Sequence, residues 1–318
     1  MWVLVAERAD FADSIHGYTG LVKRIVFRNE YDGSRQLPLN TKPLWLRGGL
    51  RKAGFVVTAT ENAIPSYRLL ALWSTPSSTC LRGEYKSKKE IPTEKYFHES
   101  SFHYHYDGRF ANETLPESEV IPHLSALVQT YFSTMNAIGA ETWIMHGTLL
   151  AWWWNQKIFP WDNDLDVQIS EPTIHFLADY YNMTEHHFDL PNVDGGRAYM
   201  LEINPNYVVK SEQDTMNKID ARWIDMSSGL FIDITAVRKD ESKRLNGHPE
   251  ALSCKDKHHY EESDIFPLRD STFEGIPVKI PYAYTWLLEE EYGPKALTRT
   301  TFSGHTFNDE TKIWESAK

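Results

Sequence analysis

The chain has 318 residues, 41% of them hydrophobic, enough to bury a core as one large domain or two ordinary ones. A net charge of -11 and a pI near 5.6 exclude a polyanion such as DNA or RNA as partner, because no basic excess exists to displace counterions. The longest apolar runs, Met1 to Ala6 and Leu69 to Trp73, fall far short of the roughly 18 residues of a membrane span, and Glu7, Arg8 and Asp10 follow the first at once, unlike a signal peptide.

Residues 1–94 mix short apolar pieces with Arg/Lys clusters and hold no helical or strand period, so they read as an N-terminal extension, with disorder as one reading, ahead of a domain over 95–318. Cys80 and Cys254 are too few for a disulfide framework or a cysteine zinc site. Asn112-Glu113-Thr114 and Asn182-Met183-Thr184 match the N-glycosylation triplet, which matters only in a secretory lumen. From Glu117 to Gly139, apolar residues at Val120, Leu124, Leu127, Tyr131, Met135 and Ile138 predict an amphipathic helix stopped by glycine. A short strand is expected at Thr142 to Met145, a turn at Gly147-Thr148 and a helical piece from Leu149 to Asn155.

After Pro160, Leu165, Val167 and Ile169 alternate with Asp164, Asp166 and Gln168, the two-residue period of a half-buried strand. A second such strand sets Leu230, Ile232, Ile234 and Ala236 against Phe231, Asp233 and Thr235, and a helix is expected over Tyr282 to Tyr292 before Gly293-Pro294. Interleaved strands and helices predict a layered α+β domain.

In an extended chain Asp162, Asp164 and Asp166 project to one side, so their carboxylates converge and repel. Such a group of hard oxygen donors suits Mg2+ or Mn2+, whose shells are completed by water and substrate phosphate. A solvated loop is the plain alternative, opposed by the apolar face behind these residues. An EF-hand is excluded, since Val167 and Thr173 stand where its glycine and glutamate belong. Asp233, a charge in mid-strand, needs either the same cation or a salt bridge to Arg222 or Arg238. Gly147-Thr148 at a strand-to-helix junction suits a phosphate, although such turns also use glycine for shape alone. Lys157, Arg222, Lys255 and Arg269 are candidate phosphate partners, each matched by an ordinary surface role. Trp143, Trp152, Trp153, Trp154 and Trp161 are read first as core. Cys254, His258, His259 and His305 fit no structural zinc spacing, and no Walker loop, HExxH or GxSxG occurs.

His146-Gly147-Thr148-Leu149-Leu150 followed by Pro160-Trp161-Asp162-Asn163-Asp164-Leu165-Asp166 resembles the signature of the LicD family, which includes phosphocholine transferases and is related to fukutin-type ribitol-phosphate transferases. Lys95 to His98, His105 to Phe110, Ile219 to Asp225, Phe231 to Thr235, Phe273 to Pro277 and Glu291-Tyr292-Gly293 resemble its fungal branch, which serves mannosylphosphate transfer to cell-wall mannans. The resemblance runs from about residue 95 to the end of the sequence. It implies a nucleotidyltransferase-like mixed β-sheet flanked by helices. It also implies metals on Asp164 and Asp166, Asp233 as third carboxylate, Asp162 beside them, and donor contacts from His146, Gly147, Thr148, Lys157 and Arg222. GDP-mannose as donor, a glycan acceptor and the Golgi lumen follow from the fungal branch, whose members generally carry a membrane anchor that is not visible in this sequence. Two rival readings are an Asp-x-Asp glycosyltransferase, which would release a nucleoside diphosphate, and a non-catalytic accessory protein.

Overall fold

A computed structural model describes residues 91–190 and 196–316, together with the backbone of three strands nearer the start. The chain divides into two compact units, Met1–Arg82 with Thr184–Tyr199, and Gly83–Met183 with Met200–Lys318. In the first unit, β1 (Trp2–Arg8) pairs antiparallel with β2 (Val22–Asn29) and parallel with β3 (Val57–Thr58). The rest of the extension expected over 1–94, Cys80 included, lies outside the described residues up to Glu90.

The second unit begins, among its regular elements, with α1 (Glu117–Ile138). Glu117 and Glu119 sit in its first turn, where the helix dipole favours acid, and Gly139 closes it with φ of 72°, a left-handed cap. Next come β4 (Thr142–Ile144), α2 (His146–Asn155), β5 (Asp166–Ser170) and α3 (Glu171–Tyr180). β6 (Thr184–Phe188) falls in the first unit, and β7 (Arg197–Ile203) ends in the second. β8 (Ala221–Asp225) and β9 (Phe231–Lys239) form a hairpin, followed by α4 (Glu241–Leu245), β10 (Ala251–Ser253), β11 (His259–Glu261) and α5 (Glu262–Ile265). A second hairpin, β12 (Arg269–Phe273) and β13 (Ile276–Ile280), precedes α6 (Tyr284–Tyr292). The last elements, β14 (Thr301–Phe302), β15 (His305–Asn308) and β16 (Ile313–Ser316), make a small antiparallel sheet.

β9 is the spine of the main sheet. It pairs parallel with β5, Asp166 opposite Asp233 and Gln168 opposite Thr235, and antiparallel with β8, Arg222 opposite Asp233. β4 extends the sheet antiparallel from β5, while β10 joins the far end of β9 and β11 joins β10. Parallel and antiparallel pairs in one helix-flanked sheet bear out the α+β expectation.

The two-residue period sorts side chains onto two faces. One face buries Val167, Ile169, Trp223, Ile232 and Ile234. α1 packs against β8 and β9, and its buried residues include Leu124, Leu127, Tyr131 and Met135. The Trp223 indole N–H donates to Thr130 Oγ1 at 3.1 Å. The opposite face carries Asp166, Gln168, Arg222 and Asp233. Apolar burial on one side of the strands therefore presents the acids on the other. No helix among the described residues is long and apolar enough to cross a membrane.

Candidate metal and phosphate site

Asp162 and Asp164 lie in the loop leading into β5, and Asp166 is the first residue of that strand. The loop is pinned at several points. The Asp162 amide donates to the Phe159 carbonyl at 3.0 Å, the Asp164 amide to Asp162 Oδ1 at 3.2 Å, and the Asp233 amide to the Leu165 carbonyl at 2.9 Å. Asp233 thus stands beside Asp166 across the β5–β9 pairing, with Asp164 close enough to both for like-charge repulsion.

The electrostatics follow from this crowding. Burial pushes the Asp166 carboxyl well above its ordinary value, and Asp164, Asp233, Asp162 and Glu291 push it further. Burial, with Asp164 adding, raises Asp162 to about 6. Asp233 is raised by burial despite Arg222, which opposes the shift. The Asp164 side chain remains 39% exposed, so the group opens to solvent there. Carboxylates held together against their own repulsion fit a divalent cation, and oxygen-only donors fit Mg2+ or Mn2+.

Arg222 settles which arginine meets Asp233. Its Nε donates to Asp233 Oδ1 at 2.7 Å and its Nη2 to Glu99 Oε1 at 2.9 Å, with the guanidinium 3.7 Å from the centre of the Phe231 ring and 4.7 Å from that of Phe97. Arg238 instead donates to Asp220, at 2.9 Å. An arginine so engaged holds Asp233 in place and reduces the charge at the acid group.

α2 begins at His146, three residues before the expected Leu149, so His146, Gly147 and Thr148 form its first turn. Thr148 Oγ1 accepts from the Asp166 amide at 2.9 Å, fastening that turn to the acidic strand. The Gly147 position faces the Tyr292 hydroxyl, which a Cβ there would meet at 3.9 Å. Lys157 lies just past the other end of α2, a helix about 15 Å long at 1.5 Å per residue, and pairs with Glu274 at 3.3 Å. It is not brought to the carboxylates. Nor is Lys255, which is fully buried against Asp220 at 3.2 Å, while Arg269 stacks over Tyr282. Of the tryptophans, Trp143 is core, while Trp152, Trp153, Trp154 and Trp161 are half-buried. Cys254 is a free, buried thiol whose pKa burial raises to about 11.

Three residues beside the acids escaped the reading of spacing. His105 Nε2 lies 3.8 Å from Asp164 Oδ2. Glu291, near the end of α6, meets His146 Nδ1 with both oxygens at 2.9 Å. Burial raises Glu291, but His146, Tyr292 and His258 outweigh it and leave the carboxyl below its ordinary value. Among the described residues, the only three His, Cys, Asp or Glu side chains with donor atoms all within 4.8 Å of one another are His146, His258 and Glu291. The four aspartates share one region without closing to that degree.

Residues 139–283 match the family model described as LicD/FKTN/FKRP, nucleotidyltransferase domain. Mannosyltransferase regulator 4 of Saccharomyces cerevisiae is 36% identical over 137 residues, 42% of this chain and 12% of that protein. Mannosyltransferase regulator 14 of the same yeast is 32% identical over 164 residues, 48% of this chain and 17% of that protein. The chain therefore spans a small part of the length of these relatives. The matched segment contains the His146–Thr148 turn, all four aspartates and Arg222, while His105 and Glu291 lie outside it. The match to the LicD family model thus takes in just under half of the chain.

Proposed function

We propose that this domain is a metal-dependent phosphotransferase that moves a sugar phosphate from a nucleotide-activated donor to a glycan hydroxyl. The observation that carries the reading is the placement of Asp166 beside Asp233, with Asp164 and Asp162 in the adjoining loop, next to the first turn of a helix. Divalent cations, Mg2+ or Mn2+, bound by Asp164, Asp166 and Asp233 with Asp162 alongside, would neutralise a donor diphosphate and lower the cost of charge on the leaving nucleotide. The α2 amides at Gly147 and Thr148 offer donors to the phosphate oxygens, since the first N–H groups of a helix have no partner inside it. Asp233, held by Arg222, orients the attacking hydroxyl and takes up its proton. Attack at the sugar-bearing phosphorus forms the phosphodiester, and cleavage of the bridge to the second phosphorus releases the nucleoside monophosphate.

The match to the LicD family model supports glycan phosphate modification, and the names of the yeast relatives connect it with mannosyl transfer; mannose as the sugar, GDP-mannose as donor and the Golgi lumen as the place are part of the proposal. The test is incubation of the full chain with Mn2+, GDP-mannose and a mannan acceptor, identifying the released nucleotide by mass. GMP is expected, and Asp166→Asn and Asp233→Asn should each lower the rate at least about 100-fold. GDP as product would overturn this reading in favour of a glycosyltransferase. The relatives' designation as regulators favours the accessory reading, which calorimetry would support if the chain bound neither Mn2+ nor GDP-mannose.

A further inference from the structure

A second metal-binding arrangement stands beside the aspartates and differs from them in chemistry. His146 comes from the first turn of α2, His258 from the loop entering β11, and Glu291 from the end of α6. Their donor atoms lie within 4.8 Å of one another, and the two imidazole ring centres are 4.4 Å apart. His146 is buried and holds φ of 54°, a left-handed conformation that costs a non-glycine residue about 1 kcal/mol and persists where the surroundings dictate it. The neutral imidazole ring is the form that ligates metal.

The surroundings are also ordered. Gln168 is fully buried; its amide nitrogen lies 3.4 Å from His146 Nε2 and donates to the Tyr260 hydroxyl at 3.1 Å. Its carbonyl accepts from the Trp143 indole at 3.3 Å. These contacts fix the His146 ring with Nδ1 toward Glu291. Binding an ion at Nδ1 would move the ring proton from Nδ1 to Nε2, where the Gln168 side chain would have to turn its amide oxygen to accept it, and small rotations would bring three donors separated by up to 4.8 Å to the roughly 2.1 Å bonds of a tetrahedral shell.

We propose that His146, His258 and Glu291 bind one divalent transition-metal ion of the zinc class, apart from the hard cations proposed for the aspartates. Two imidazoles and a carboxylate prefer Zn2+ over Mg2+, as oxygen-only donors do not. The ion would join the end of α6, outside the matched segment, to the turn that carries Gly147 and Thr148. Its role is structural support of that turn, and its existence does not depend on the phosphotransferase reading.

The test is calorimetric titration of Zn2+ into the metal-free full chain with excess Mg2+ present to occupy the aspartates. One Zn2+ per chain is expected. His258→Ala and Glu291→Gln should each weaken it at least about tenfold, while Asp164→Asn leaves it unchanged. Zn2+ binding that is absent, or that is lost only in Asp164→Asn, overturns the proposal. Should the variants fail to fold, anomalous diffraction at the zinc edge from wild-type crystals decides: density between the three residues supports the site, and its absence there overturns it.

Discussion

At the scale of single residues, the polar face reads as a set of charges each answered or left unanswered for a reason. Asp225 is answered. Burial raises its carboxyl, but the His123 ring at 2.8 Å, the Ser227 amide and hydroxyl and the Ser228 hydroxyl outweigh that and hold it below its ordinary value. A carboxylate depressed in the fold contributes stability above its unfolded pKa and loses it as pH falls through the folded one. Thermal melting of the wild type should therefore weaken on acidification below about pH 4. Asp225→Asn should cost on the order of 3 kcal/mol at neutral pH and show a flatter acid dependence. An unchanged neutral-pH midpoint in that variant would contradict the pairing. The aspartates of the site were legible because charge alternating with Leu165, Val167 and Ile169 is unusual on a strand. The choice between Arg222 and Arg238 was also decidable in principle. Asp233 and Arg238 are an odd number of residues apart on β9 and so face opposite sides, whereas Arg222 stands directly across.

At the scale of elements, the β8–β9 hairpin carries both Arg222 and Asp233, and its turn depends on Gly229. That residue has φ of 78°, and a Cβ would lie 2.9 Å from both Ala111 Cβ and the Asp107 carbonyl oxygen. Gly229→Ala should cost about 2–4 kcal/mol and lower activity with it. Gly139→Ala, with a similar φ of 72° but open space around it, should cost only about 1 kcal/mol. Equal losses in denaturant unfolding would show that backbone strain alone, without steric closure, governs both. α1 and the two alternating strands were readable from period and glycine stops. The true start of α2 was not, because Met145 offers no capping side chain and Gly147 resembles a break. Glu99, His105, His258 and Glu291 were hidden for a different reason: they reach the site from loops and helix ends whose positions tertiary packing sets, so no local spacing marks them.

At the scale of the molecule, one sheet is asked to do two opposed things: bury an apolar face under α1 and hold like charges together on the other. A fold selected for stability alone has no cause to keep Asp166 half-buried among Asp162, Asp164 and Asp233. Neutralising it should then stabilise the metal-free protein while removing its cation. The most direct test is Mn2+ binding, followed by electron paramagnetic resonance, on the full chain and on Asp166→Asn, with melting of each metal-free protein. The account predicts Mn2+ binding by the wild type, a loss of at least about tenfold in Asp166→Asn, and a metal-free variant more stable by about 1–2 kcal/mol at pH 7. Undiminished Mn2+ binding by Asp166→Asn, or a metal-free variant less stable than the wild type, would contradict it.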